Sequence, residues 1–265
     1  MQLFYREKGN PSSPPLILLH GLWGASDNWL GVANQLAAHF HVILPDCRNH
    51  GHSPHNDAHD YATLSEDITD FISSLNLPIP PFIAGHSMGG KALMFLLLKR
   101  PEIVQKAAII DICPRNYEIS NFHQELLDKL VQFPLRHYTS RQELHTRLRE
   151  EFSSEELCQI TLKNMQKTPS GFEWRINLKA ICNNLFQLMS WPPTANTIYS
   201  KPILFIKGEY SDYISPHDLP TIYTLFPAAE LHTLPSDHQI HARQPQLLAH
   251  TLEHFFTRSI PSDIF

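Results

Sequence analysis

Long apolar runs are missing from this chain of 265 residues. The longest, residues 92–98, lies between Lys91 and Lys99 and is far shorter than the roughly 20 residues that a membrane-spanning helix needs. Residues 1–9 also lack the apolar core of a secretory signal peptide. The sequence therefore predicts no membrane span, and we expect a cytoplasmic protein.

Cysteine pairs and an excess of positive charge are also absent. The four cysteines lie far apart with no CxxC pair, which excludes a disulfide scaffold and suits free thiols in a reducing compartment. Lysine and arginine number 21 against 26 aspartates and glutamates, a formal net charge of −5. Because a protein that binds nucleic-acid phosphates needs a basic surface, we expect no nucleic-acid partner.

Histidine, in contrast, is abundant, with 17 residues. His50, His52, His55 and His59 lie close together and could be read as a metal-binding tract. The glycine and proline residues between them do not place their side chains on a shared helical face, and the segment is typical of a loop. We therefore predict no metal site and no cofactor.

Short apolar segments alternate with segments of helical spacing, which predicts an α/β fold. The expected strands are residues 16–20, 42–46, 82–86, 107–111, 203–208 and 230–234. The expected helices of the core are residues 27–38, 65–75, 88–99 and 245–256. The pattern indicates a mostly parallel central sheet flanked by helices.

The segment between the fourth and fifth expected strands has a different pattern of apolar and polar residues. Ser140 and Ser153 each precede a glutamate, Glu143 and Glu156, by three positions, the spacing of a capping box. The region has no strand pattern, and its expected helices are residues 120–132, 140–152 and 153–166. We expect residues 114–196 to form a helical cap inserted into a core made of residues 1–113 and 197–265.

The strongest motif is a GxSxG sequence centred on Ser87, between an expected strand and an expected helix. This context is typical of a nucleophile elbow, in which a sharp strand-to-helix turn exposes the serine and small residues let the flanking backbones pack. The amide of Met88 at the start of the helix could stabilise an oxyanion formed at Ser87. The glycine-flanked loop at residues 20–24 could supply a second amide, that of Leu22.

A serine hydroxyl needs a general base, and in this architecture the base follows the last strand. His238 lies in that loop, and His241, where a turn or helix would begin, is the alternative. For the acid that supports the base, Asp111 at the end of the fourth expected strand is favoured. Asp212 is the alternative acid, and Ser211 is a further hydrogen-bond partner.

Taken together, the chain resembles the α/β-hydrolase superfamily and, within it, the YbfF-type esterases. The resemblance rests on HGLWG, DCRNHGHSPH, GHSMGGKA, IIDICP, GEYSDYIS and HQIHARQP, at residues 20–24, 46–55, 85–92, 109–114, 208–215 and 238–245. It implies that Ser87 is the nucleophile, His238 the base and Asp111 the acid. It also implies that Ser211 stands where other hydrolases have aspartate, while Asp212 is this chain's own addition.

Members of that subgroup cleave esters and acyl-CoA thioesters, so the resemblance implies a small-molecule ester or thioester substrate. An alternative is a carbon–carbon bond hydrolase or lyase of the menaquinone-pathway type, which would use the same three residues. That reaction would need basic cap residues, such as Arg136, Arg141 or Arg147, to hold a diacid.

Overall fold

The computed structural model describes residues 1–119, 121–152, 154–194 and 197–258, and the side chains of residues 121–125 and 156 are outside this description. The strands are β1 (Tyr5–Lys8), β2 (Pro15–Leu19), β3 (His41–Pro45), β4 (Phe82–His86), β5 (Ala107–Ile110), β6 (Met165–Thr168), β7 (Gly171–Trp174), β8 (Ile203–Gly208) and β9 (Ala229–Leu234). Within the described residues, a seven-stranded sheet has the order β1-β3-β2-β4-β5-β8-β9.

The sheet is parallel from β3 to β9, which confirms the predicted fold class. The antiparallel edge strand β1 was not predicted, because all four of its residues are exposed and give no alternation of apolar and polar side chains. Backbone pairing with β3, from Tyr5 opposite Pro45 onward, holds it in the sheet. The edge strand therefore depends on its neighbour and not on its own pattern.

Helices cover both faces of the sheet. The helices are α1 (Leu30–Leu36), α2 (Tyr61–Ser74), α3 (Met88–Lys99), α4 (Asn121–Gln132), α5 (Arg141–Glu151), α6 (Glu155–Lys163), α7 (Leu178–Asn183), α8 (Leu185–Met189), α9 (Leu219–Leu225), α10 (Ile240–Arg243) and α11 (Pro245–Thr257). Successive strand residues point to opposite faces: Leu16 and Leu18 pack with the α1 and α11 side, whereas Ile17 and Leu19 pack with the α2 and α3 side.

Two boundaries of core helices differ from the sequence prediction. Helix α2 begins at Tyr61 instead of residue 65, because Asp60 caps it by accepting a hydrogen bond from the Thr63 amide at 2.8 Å. The expected helix 27–38 begins as a 3₁₀ turn, Ser26–Trp29, and continues as α1.

The region between β5 and β8 contains α4 to α8 and also a hairpin, so the prediction that it has no strands was wrong. The expected helix 153–166 stops at Lys163, and β6 and β7 pair antiparallel from Met165 opposite Trp174 to Thr168 opposite Gly171. Gly171 has a φ of 116°, which closes the turn in a conformation that other residues rarely adopt. Strands of four residues are too short to reveal alternation in the sequence.

The two predicted caps of this region have different outcomes. Ser140 accepts a hydrogen bond from the Glu143 amide at 3.2 Å, and the Glu143 carboxylate accepts one from the Ser140 amide at 3.3 Å, which confirms that capping box. Ser153 lies outside the described residues. Helix α6 is capped one residue later, by Ser154, whose hydroxyl accepts a hydrogen bond from the Leu157 amide.

The state of the cysteines and the length of the helices can be compared with the sequence predictions of free thiols and of no membrane span. Cys47, Cys113, Cys158 and Cys182 are free thiols, as predicted, and the cytoplasmic location stays a prediction. Among the described residues, no helix has the length and the apolar character that crossing a membrane requires.

Candidate active site

Ser87 stands at the turn between the central strand β4 and helix α3. Its backbone has φ 51° and ψ −119°, a strained conformation for a residue with a side chain. A Cβ added at Gly85 would lie 2.6 Å from the carbonyl oxygen of Gly89, so only a residue without a side chain allows the strand and the helix to approach so closely. The strand–turn–helix context expected around Ser87 is therefore present.

Ser87 lines a cavity of about 290 Å³. The expected base His238 and both expected oxyanion donors, Leu22 and Met88, line the same cavity. The rest of the lining is mostly apolar and comes from both the sheet core and the region between β5 and β8. Leu22 and His238 are far from Ser87 in the chain, and the fold brings all three to the same cavity.

His238 and Asp111 form a hydrogen bond of 2.7 Å between Nδ1 and Oδ2. Asp111 is completely buried, and its other oxygen, Oδ1, accepts a hydrogen bond from the Gly208 amide at 2.9 Å. The Ser211 hydroxyl donates to Oδ2 as well. Since an ionised carboxylate only accepts hydrogen bonds, Nδ1 of His238 is the donor, and in the neutral form of the ring Nε2 is the acceptor.

Asp212, the alternative acid, takes a different position. Its side chain is exposed, and its backbone carbonyl oxygen accepts a hydrogen bond from Nη2 of Arg115 at 3.0 Å. Asp111, like Ser87, has a positive φ, 50°, which turns the chain at the end of β5. The structure therefore places Asp111, and not Asp212, against the imidazole of His238.

Two further residues hold His238, and the sequence analysis missed both. The ring of Tyr213 stacks on the imidazole with centroids 3.7 Å apart and an angle of 12° between the planes. Nε2 of His86, the residue before Ser87, donates a hydrogen bond to the carbonyl oxygen of His238 at 2.8 Å. Burial, together with the neighbouring imidazoles, keeps the pKa of His86 well below its usual value, so this donor is neutral.

His241, the alternative base, also lines the cavity, but no carboxylate of the described residues is hydrogen-bonded to its ring. Its ring lies 5.3 Å from that of Trp29 and 4.8 Å from that of His86. Its Nδ1 has no hydrogen-bond partner in the part of the chain that the structure describes. Burial lowers the pKa of His241 to about 4, so the ring is neutral near pH 7.

The side chain of His20 holds the loop that carries Leu22 through two hydrogen bonds to the backbone. Nε2 of His20 accepts a hydrogen bond from the Cys47 amide at 2.9 Å, and Nδ1 donates to the Gly21 carbonyl oxygen at 2.8 Å. A Cβ added at Gly21 would lie 3.0 Å from Cβ of Ser87. The glycine thus lets this loop pass directly beside the serine, where an amide of the loop can reach a reacting carbonyl oxygen.

Two histidines of the tract, His50 and His59, are buried, and the ring of His50 packs against those of His59 and His20. The ring of His50 lies 5.1 Å from that of His20 and 5.6 Å from that of His59. Among the described residues, no three histidine, cysteine or acidic side chains are placed to hold a metal ion. His52 and His55 are exposed at the surface of the same loop.

The arrangement of strained serine, hydrogen-bonded histidine and aspartate, and parallel sheet defines the site of an α/β-fold hydrolase. Residues 14–244 match the family described as alpha/beta hydrolase fold, and the chain belongs to this family. It is 34% identical over 244 residues to the sn-1-specific diacylglycerol lipase ABHD11 of Danio rerio, covering 89% of this chain and 76% of that protein.

Two further relatives are named esterases. Esterase YbfF of Escherichia coli is 28% identical over 245 residues, covering 92% of this chain and 93% of that protein. A solved structure described as a marine microorganism esterase has a TM-score of 0.91 and 38% identity, and covers 96% of this chain and 99% of that chain. These relatives confirm the predicted esterase subgroup and the predicted class of carboxylic ester hydrolases.

Proposed function

We propose that this protein cleaves carboxylic esters, and acyl-CoA or other thioesters, through an acyl-enzyme formed on Ser87. The observation that carries the proposal is the hydrogen bond between Nδ1 of His238 and the buried carboxylate of Asp111, at the cavity that Ser87 lines. The names of the relatives, which include an esterase and a lipase, support carboxylic esters as the substrate class.

In the proposed reaction, Nε2 of His238 takes the proton of the Ser87 hydroxyl as the oxygen attacks the carbonyl carbon of the substrate. Asp111 holds the imidazole in the correct tautomer and stabilises the positive charge that develops on it. The imidazolium then gives its proton to the leaving alcohol or thiol. A water molecule, activated by the same imidazole, hydrolyses the acyl-enzyme and restores the serine.

The amides of Leu22 and Met88 are the proposed oxyanion donors. Both residues line the cavity, and the amide of Met88, at the first position of α3, has no partner within its own helix. Loss of one such donor typically lowers the rate by about 10² to 10³. Ser211 acts indirectly, because its hydroxyl donates to the oxygen of Asp111 that also faces His238.

We also propose residues 114–196 as a cap that shapes the substrate pocket. Leu126, Leu127, Leu185, Leu188 and Met189 of this segment line the cavity together with core residues. Apolar lining of this kind suits the hydrocarbon part of an acyl or alkyl chain. Phe186, in contrast, is 71% exposed, so apolar bulk in the cap does not always face the pocket.

The carbon–carbon bond hydrolase alternative has less support. It required basic cap residues around the substrate, yet Arg136, Arg141 and Arg147 have exposed side chains. Arg147 pairs with Glu150 and Glu151 on its own helix. Among the described residues, none of these arginines lines the cavity.

The test is acylation of Ser87. Wild-type protein should release a burst of p-nitrophenolate from p-nitrophenyl acetate and should be labelled at Ser87 by a fluorophosphonate, whereas Ser87→Ala should do neither. The control is Ser74→Ala, which removes a hydroxyl that donates to the Phe71 carbonyl oxygen in α2. An undiminished burst from Ser87→Ala would overturn the proposal. Labelling at Ser87 without turnover of any ester or thioester in a panel would favour carbon–carbon bond cleavage.

A further inference from the structure

A lysine side chain lies inside the cavity, and no carboxylate lines it in the part of the chain that the structure describes. Lys91 lines the cavity, and it is the only lysine, arginine, aspartate or glutamate among the described residues that do so. It follows Ser87 by one turn of α3, and its amide donates to the Ser87 carbonyl oxygen at 2.9 Å. The side chain is only 1% exposed. The sequence offered one signal for it, a lysine at the start of an apolar helix.

The ammonium group of Lys91 binds two backbone carbonyls at the end of helix α8. Nζ donates to the carbonyl oxygen of Met189 at 3.1 Å and to that of Ser190 at 2.9 Å. It also lies 4.8 Å from the ring centroid of Tyr117 and 5.3 Å from that of Tyr61, distances at which an ammonium is attracted to an aromatic face. An ammonium has three N–H donors, so one remains after the two carbonyls.

Carbonyl dipoles and aromatic rings solvate this charge but do not neutralise it. Within the described residues, no carboxylate lies within ion-pair distance of Lys91, and none lines the cavity. Burying a charge without an opposite charge is costly. Burial accordingly lowers the pKa of Lys91 to about 7, with a nearby thiol, Cys113, opposing the shift and Arg115 adding to it.

We propose that Lys91 determines specificity by binding a carboxylate group of the substrate, so that the protein prefers half-esters of dicarboxylic acids, or esters of hydroxy acids, to neutral esters of equal length. This inference rests on the proposed esterase function. A carboxylate in the cavity would accept the third N–H of Lys91 and supply the missing negative charge. The apolar lining would contact the methylene groups between the carboxylate and the ester.

The experiment compares acidic and neutral substrates as a ratio of kcat/KM values. For a carboxylate on the acyl side, the pair is mono-p-nitrophenyl adipate and p-nitrophenyl hexanoate. For a carboxylate on the alcohol side, the pair is the hexanoate ester of 6-hydroxyhexanoic acid and hexyl hexanoate. The hydrolysis of these two esters is measured by the acid that they release. Series with shorter and longer chains in each arm locate the carboxylate relative to the scissile bond.

Lys91→Met is the informative variant, since methionine keeps an unbranched apolar chain and removes the charge. We expect the acid-to-neutral ratio to exceed one in the wild-type protein, in at least one arm, and to fall by at least about tenfold in Lys91→Met, because hydrogen bonds to charged groups are strong in a buried site. The matched control is Lys99→Met, which removes an exposed lysine from the same helix and lies outside the cavity lining.

The outcomes separate this inference from the function on which it rests. A wild-type ratio at or below one in both arms overturns it, and so does an equal loss of both substrates in Lys91→Met, which would mean that Lys91 only ties α8 to α3. Hydrolysis of neither substrate by the wild-type protein would refute the esterase function itself. Hydrolysis of the neutral ester alone would retain that function and remove the carboxylate preference.

A measurement on the wild-type protein keeps the inference testable even where Lys91→Met does not fold. Lys91 has a lowered pKa of about 7, so raising the pH from 6 to 8.5 deprotonates it in the free enzyme. The kcat/KM ratio should therefore fall several-fold over this range. Titration of groups that act on both substrates cancels in the ratio. A ratio that does not change with pH counts against the proposal.

Discussion

Acidification should destabilise the fold through His59, a completely buried residue. Its Nδ1 accepts a hydrogen bond from the Asn49 side chain at 3.1 Å, and its Nε2 has no partner in the described part of the chain. Burial, together with the charge of nearby Arg48, lowers the pKa of His59 to about 4. The folded protein therefore resists protonation at a position where the unfolded chain does not.

The sign and size follow from linkage. Above about pH 6.5, the ordinary value for histidine, His59 is neutral in both states and its titration does not affect stability. As the pH falls from about 6.5 to about 4, the unfolded chain binds a proton that the folded protein does not, so the free energy of unfolding falls. The gap between these values, with the folded pKa at about 4, amounts to about 3 kcal/mol, since one pKa unit is worth about 1.4 kcal/mol.

Urea unfolding at pH 7 and at pH 4 measures this effect. Glutamine does not titrate in this range, so the loss of unfolding free energy between the two pH values should be about 3 kcal/mol smaller in His59→Gln than in the parent chain. The control is His250→Gln, an exposed histidine of α11, for which we expect the parent's pH dependence. An equal loss in His59→Gln and in the parent would refute the linkage argument.

Two further predictions concern the acid and the elbow. Asp111→Asn should lower kcat for p-nitrophenyl acetate by about 10⁴, the effect typical of a triad aspartate, whereas Asp212→Asn should change it by less than about twofold; the reverse order would assign the acid to Asp212. Gly85→Ala places a Cβ 2.6 Å from a backbone oxygen and should destabilise the protein by about 1–3 kcal/mol. Gly31→Ala, whose Cβ meets nothing nearer than 3.4 Å, should stabilise helix α1 slightly, and equal thermal midpoints for these two variants would contradict the steric argument.

The strands of the sheet core were predictable because they are buried on both faces. Phe82–His86 and Ile203–Gly208 have the bounds that the sequence predicted, since each begins with a run of apolar residues and almost every position is buried. The edge strand Tyr5–Lys8 and the hairpin strand Met165–Thr168 were not predictable. Both are stabilised by pairing and packing against other parts of the chain, which leave little trace in a short local pattern.

Sequence alone predicted that Ser87 lies in a turn between a strand and a helix, because these three elements are adjacent in the chain. It also narrowed the base and the acid to a few residues near the ends of expected strands. It favoured Asp111 and left Asp212 as the alternative, since each of the two follows an expected strand of the sheet and lies between Ser87 and His238 in the chain. The hydrogen bond from His238 to Asp111 depends on how β5 and β8 meet.

Tertiary structure alone decided the environment of the site. It stacked Tyr213 on His238 and placed the ring of His86 within hydrogen-bond distance of the His238 carbonyl oxygen. It also brought the end of α8 to the ammonium group of Lys91. It packed the buried ring of His59 against that of His50 as well. The contacts of Tyr213, His86 and Lys91 join residues far apart in the chain, so they arise from the packing of whole elements and leave no local periodicity by which the sequence could reveal them.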